Sequence, residues 1–405
     1  MPRSRCIEST SPRSTNRPCN EQLTESPFNM VTRRLLLIAA AEATLILLGA
    51  YGYSSLSSSG QPISSTSAEP VTLTGVGATL AYPLLSAIYD KYEGTHPNVR
   101  ISYSPIGSEA GITQFLLQTV DFSATYPPMT QKQVKSALPG IPLHIPESIS
   151  GVVVAYNVPG FEGTLRLDGN TIANIFLDRV QYWDDPQITG SNTGLNFPHN
   201  RIQTIHMAEA EGTTFVFTSY LSSISSDFRQ SLGFGTSVPW TTGVSVPTDA
   251  GVASLMATTP NSIGYMELSY ALQTKLAYAS IMNSAGNYIV PSEASAQVAE
   301  EAFSTALPKG DGDWSNVNLL NEPGSGAYPL VTFTYILVYQ NLSGQKSMDL
   351  AKATALVDFL WYLVHDGQAL GPPLGYVPLP ANVVIINEAS LKSITFQGKT
   401  LLQTA

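Results

Sequence analysis

Three short stretches of the 405-residue chain place glycine and a hydroxyl side chain just before a run of helical periodicity. They are GVGATL with Thr79, GSEAG with Ser108, and EGTT with Gly212 and Thr213. A loop that opens a helix exposes unsatisfied N–H groups and the positive end of the helix dipole, so several such loops meeting in a cleft hold an anion without bulk positive charge. The third loop also carries two acids, Glu209 and Glu211, in HMAEAEGTT. With His206 they suggest a metal site only if strand and loop bring all three side chains together around an open coordination position. Covalent chemistry is disfavoured. GSEAG lacks the Ser-centred elbow, GVGATL lacks the Lys-Ser/Thr of a phosphate-cradling P-loop, and the only cysteines, Cys6 and Cys19, stand far from all three loops. The expectation is a binding protein rather than an enzyme, with no cofactor and no metal.

Composition narrows the partners. Apolar residues make up 43% of the chain and charged residues 12%, with a net charge of −10. The first 66 residues hold six Lys/Arg and four Asp/Glu, leaving 14 against 26 in the body. A body of that sign repels phosphate backbones, and no basic stripe interrupts it, so nucleic acid is excluded as a partner. An acidic protein can still seize a small anion where the local field differs from the net charge.

The elements that must position these loops follow from the pattern. Residues 1–29 have no core pattern and read as a disordered or misassigned extension. Arg33 and Arg34 precede an apolar run to about Tyr53, so residues 30–53 read as a secretory signal or membrane anchor, with 54–66 as a Ser-rich tether. The protein is expected outside the cytoplasm, secreted or held at the outer face of the cytoplasmic membrane. From Val71 the chain twice reads strand, loop, helix, and Leu84, Ile88 and Tyr92 recur at spacing four behind Pro83. Such alternation predicts an α/β fold with helices covering a sheet. A β-branched and aromatic run, AYPLVTFTYILVYQN, predicts a late core strand, and Leu356, Phe359, Leu360, Leu363 and Val364 form the inner face of a late helix.

The ordered blocks GVGATLAYPL, IGSEAGITQF, VDFSATYPPM, VVVAYNVPG, IANIFLDRVQYWDDPQI, EGTTFVFTSYLS, SIGYMELSYA and LGYVPLP resemble the phosphate-binding proteins that serve phosphate ABC importers. The resemblance runs from about Val71 to Val384. It implies a two-lobed, type II periplasmic-binding-protein-like fold with lobes joined by two crossovers, near Val152 to Val154 and Gly326 to Val331. Lobe one would combine residues 67–152 with 325–405, and lobe two would span 153–324. It also implies inorganic phosphate or another small polar solute as ligand, and an ABC permease with its ATPase as partners. Carried over by position, it assigns ligand binding to Thr79, the backbone N–H of Leu80, Ser108, Gly212 and Thr213. Four other positions depart from the family pattern. Tyr126 replaces the acid that receives the phosphate proton, Met207 the arginine, Glu209 that arginine's partner, and Glu211 a serine.

These departures leave three readings open. Glu211 caps its helix as an ordinary first-turn acid while the loop N–H groups bind some oxyanion or neutral solute, with Arg166 or Arg201 reaching inward to keep weak phosphate binding. Alternatively, the Glu211 carboxylate itself occupies the anion position, bonded by Thr79, Ser108 and the loop N–H groups, and the cleft recognises a cationic or polyhydroxyl solute or nothing. Finally, the chain serves a surface, scaffold or adhesion role.

Overall fold

A computed structural model describes residues 70–303 and 307–402, all within the unit Ala68–Ala405. The expected extension, signal or anchor and tether lie outside the described residues. Among the described residues, no helix is long and apolar enough to cross a membrane.

Strands β1 (Val71–Gly77) and β2 (Val99–Pro105) run parallel, joined by helix α1 (Tyr82–Thr95). Pro83 sits in the first turn of α1, where its missing N–H costs nothing, and Leu84, Ile88 and Tyr92 are buried along one face. The helix stops before Pro97, with the His96 ring stacked on Tyr92 at 3.9 Å. The second unit repeats the plan: α2 (Ser108–Leu116) leads to β3 (Phe122–Thr125), which pairs parallel with β1 on its other edge.

Strand β4 (Pro142–Asn157) is 16 residues long and buried nearly throughout, as a central strand covered on both faces requires. Further along come β5 (Gln203–Met207), α3 (Gly212–Ile224), β6 (Val244–Val246), α4 (Asp249–Thr258), β7 (Ser262–Glu267), α5 (Leu268–Thr274) and β8 (Ala277–Tyr278). The last long strand, β9 (Val331–Tyr339), is followed by α6 (Leu350–Val364) and α7 (Ala381–Lys392). The sheet order is β2-β1-β3-β9-β4-β7-β5-β6, with β8 also on β4.

The change of partner along β4 organises the molecule. Residues 142–151 pair antiparallel with β9, and from Val152 onward the strand pairs with β7 instead. At that point Val152 N–H donates to the Leu330 carbonyl and Tyr328 Oη donates to the Val152 carbonyl, both at 2.9 Å. The two segments expected to cross between lobes are therefore bonded side by side. Residues 307–320 pack along β4 and β9: Gly310 O accepts from His144 N–H, and the Trp314 ring meets Tyr335 edge-on at 5.4 Å.

The middle of β1 is tied to α6 through a buried acid. Asp121 accepts from Thr74 N–H and Thr74 Oγ1 and pairs with Lys352 Nζ at 2.8 Å, its own side chain 3% exposed. Asp121→Ala strands a buried amide and an ammonium together, so it is expected to cost about 2 kcal/mol in urea unfolding, against almost nothing for removal of the exposed Asp227 partner of Arg179.

Candidate functional site

The three loops meet. Gly107, at φ 89°, opens α2 in a conformation that L side chains rarely adopt, and a Cβ there would sit 3.0 Å from Ala210 O. Gly212 opens α3 against the second loop, where a Cβ would lie 2.4 Å from Tyr126 O and 3.1 Å from Ser108 Oγ. Glycine at these two positions is what lets the second and third loops and the Tyr126 segment approach one another.

The first loop is held by tyrosines. Tyr103, Tyr270 and Tyr376 hydroxyls donate to the carbonyls of Ala78, Thr79 and Leu80 at 2.9, 3.1 and 2.7 Å. With its carbonyls satisfied from outside, the loop turns Thr79 Oγ1 into the cluster.

Glu211 decides the character of the cluster. Its backbone caps α3, yet its side chain makes no cap hydrogen bond and is fully buried. The expectation of an ordinary first-turn cap therefore fails, because the carboxyl turns back across the loop to Thr79. Thr79 Oγ1 lies 2.9 Å from Glu211 Oε2 and 3.0 Å from Asp249 Oδ2. Asp249, in the first turn of α4, also accepts from Thr213 Oγ1 at 3.0 Å and from Glu267 N–H at 2.8 Å. Glu211 Oε1 is buried without a partner among the described residues.

One hydroxyl has one hydrogen. With both acids ionised, Thr79 can satisfy only one of its two carboxylate neighbours. Both contacts become hydrogen bonds when one carboxyl holds a proton and donates to Thr79 Oγ1. The electrostatics agree: burial, then the neighbouring Asp249 carboxylate, pushes the Glu211 carboxyl up to about 9, and burial raises Asp249 as well. Glu267 accepts from Ser150 Oγ at 3.0 Å and from Ser269 N–H at 2.8 Å, and burial pushes it up to about 8. No lysine, arginine or histidine touches the Glu211 and Asp249 carboxyls among the described residues.

The other expected positions distribute as follows. Leu80 and Met207 are buried, with Met207 at the end of β5. Ser108 Oγ accepts from Tyr126 N–H at 3.2 Å rather than donating to Glu211, so the expected Ser108 bond to the carboxylate is absent. Tyr126 is buried with its ring edge-on to Phe215 at 5.7 Å, and burial pushes its hydroxyl up to about 12. Glu209 is exposed. Neither arginine suggested for rescue reaches inward: Arg201 pairs with Asp178 at 3.0 Å on the surface, and Arg166 lies over the Tyr288 ring. His206 stacks on Trp240 at 4.8 Å and faces Thr242 O, away from Glu211, so the three side chains considered for a metal do not assemble. Asp249 and Glu267 were not singled out in the sequence; the signal was an acid closing a buried strand, as in SIGYME, and an acid behind the Thr248 cap.

A family model described as the PBP superfamily domain matches residues 63–366. The phosphate-binding protein PstS of Xylella fastidiosa (strain Temecula1) is 36% identical over 339 residues, covering 82% of this chain and 88% of the relative. The chain belongs to the PstS family of phosphate-binding proteins. PstS of Methanocaldococcus jannaschii is 35% identical over 341 residues, covering 80% of this chain and 87% of the relative. Among solved structures, the high-affinity periplasmic phosphate-binding protein PfluDING, bound with phosphate, superposes with a TM-score of 0.61 at 20% identity, covering 78% of this chain and 93% of that one. That likeness shows the fold. The architecture is the type II periplasmic-binding-protein fold, and PstS-family membership makes the chain an extracytoplasmic solute-binding protein of the ABC-transporter class, not an enzyme.

Proposed function

We propose that this PstS-family chain captures a solute other than the phosphate dianion between two lobes and presents it to an ABC permease and its ATPase. The lobes meet where β4 changes partner, and we place residues 307–320 with the first lobe because they pack on β4 and β9. The observation that carries the reading is the fully buried Glu211 carboxyl on Thr79, with Asp249 beside it and Met207 where the family resemblance puts an arginine. A phosphate dianion in that position would face two acids and no cation. Charged hydrogen bonds contribute about 1.5–3 kcal/mol each, and in a desolvated cleft the loss of the cation and the gain of an acid act in the same direction. The N-terminal segment, cleaved or retained, would deliver or tether the protein outside the cytoplasm.

Calorimetric titration of the purified protein with inorganic phosphate at pH 7.5 tests this. No binding heat up to millimolar phosphate is expected. A micromolar dissociation constant would overturn the proposal.

A further inference from the structure

Beside the plugged cluster lies a cavity of about 270 Å³, whose walls come from both sides of the molecule. Tyr126 and Pro127, just after β3, form one wall; Phe215 and Ser219 on α3, with Phe234 and Arg229, form the other. Tyr126 belongs to both places: its backbone touches Ser108 and Gly212 in the cluster while it also lines the cavity.

The chemistry of the walls is specific. Phe215 meets Tyr126 edge-on at 5.7 Å and Phe234 edge-on at 6.1 Å, giving a cluster of ring faces and edges. Phe234 is 59% exposed, which leaves much of its ring for a bound solute to cover. Among the described residues no carboxylate lines the cavity, although the chain carries a net charge of −10. Its one charged group is Arg229. Among the described residues Arg100, Arg179 and Arg201 pair with acids and Arg166 lies over a tyrosine ring, while Arg229 has neither kind of partner. Its Nε donates to Ser222 O at 2.8 Å, which fixes the guanidinium and leaves the two terminal nitrogens. Those two form the fork that matches one carboxylate. Ser219 Oγ, in the same wall, is buried without a partner among the described residues.

We infer that the cavity between Tyr126, Phe215 and Arg229 binds a small monoanionic organic acid with a planar apolar body. The ring of such a solute covers Phe234 and packs on Phe215, and its carboxylate meets the end of Arg229. The volume lies just below the roughly 300–1,000 Å³ of drug-sized sites, which selects a single ring over an oligosaccharide or peptide. One guanidinium balances one negative charge, which selects a monoanion over a phosphate dianion. Because the walls come from both sides, the occupied cavity ties them together. The inference rests on the reading that Glu211 fills the deeper position and names the solute class which that reading leaves open.

The test uses the whole protein and benzoate as probe, by calorimetry and by thermal shift. Benzoate is expected to bind and raise the melting temperature, with benzamide and cyclohexanecarboxylate each about tenfold weaker or more, because one lacks the charge and the other the flat ring. Arg229→Gln is expected to weaken benzoate about tenfold or more while leaving the unfolding midpoint of the unliganded protein in place, since the side chain is exposed. Absence of benzoate binding at 10 mM, equal binding of benzamide, or tighter binding of phenyl phosphate than benzoate would each overturn the inference. The comparison of benzoate with benzamide on the native protein needs no variant. Native phosphate binding would instead strike the reading of the plugged site, so the two failures are distinguishable.

Discussion

Glu211→Ser combined with Met207→Arg is expected to raise the protein's affinity for phosphate at least about 100-fold. The serine removes the carboxyl that now lies on Thr79 and leaves room among Thr79, Ser108 and the first amides of α3. The arginine restores a cation at the end of β5, with the exposed Glu209 two residues away to pair with it. Two charge-assisted hydrogen bonds at about 1.5–3 kcal/mol each account for two orders of magnitude or more. Calorimetry with inorganic phosphate at pH 7.5 reads the effect. A folded double variant that still gives no heat would show that Glu211 and Met207 are not what excludes phosphate.

The second large effect is on stability against pH. The Glu211 carboxyl is raised from 4.5 to about 9 in the folded protein, and Glu267 and Glu147 from 4.5 to about 8, each mainly by burial. An acid raised on folding holds its proton longer in the folded state. Its contribution is therefore fully present below about pH 4.5 and drains away as the pH climbs toward the folded value. The melting temperature is expected to fall steadily between pH 5 and pH 9. Glu211→Gln keeps the shape and cannot ionise, so its decline should be shallower, with a gain of about 1–3 kcal/mol over the native chain at pH 8.5 in urea unfolding. Parallel pH curves for the two proteins would mean that Glu211 does not carry the extra proton.

Much of the scaffold was legible because it rests on local rules. The spacing of Leu84, Ile88 and Tyr92 behind Pro83, and of Leu356, Leu360 and Leu363, states which helix faces are buried, and the structure buries them. Each of the three hydroxyl loops does precede a helix, since glycine and short polar residues signal that junction wherever the chain leads next. The company Glu211 keeps was less legible. That it meets Thr79 was one of the open alternatives, while Ser108 turned instead to the Tyr126 amide. Asp249 and Glu267 sit 38 and 56 residues beyond Glu211 in ordinary helix-start contexts. Only the tertiary arrangement brings Asp249 to Thr79 and the Glu267 amide to Asp249, and no local pattern encodes it. The same holds for Arg229, whose importance lies in the acids that are not near it.

The tyrosine clamp on the first loop has an evolutionary corollary. Since Tyr103, Tyr270 and Tyr376 fasten three successive peptide carbonyls from behind, the path of that loop does not depend on what its own side chains hold in front. Substitutions at the front of the loop can then alter cargo preference while the three tyrosines keep its path.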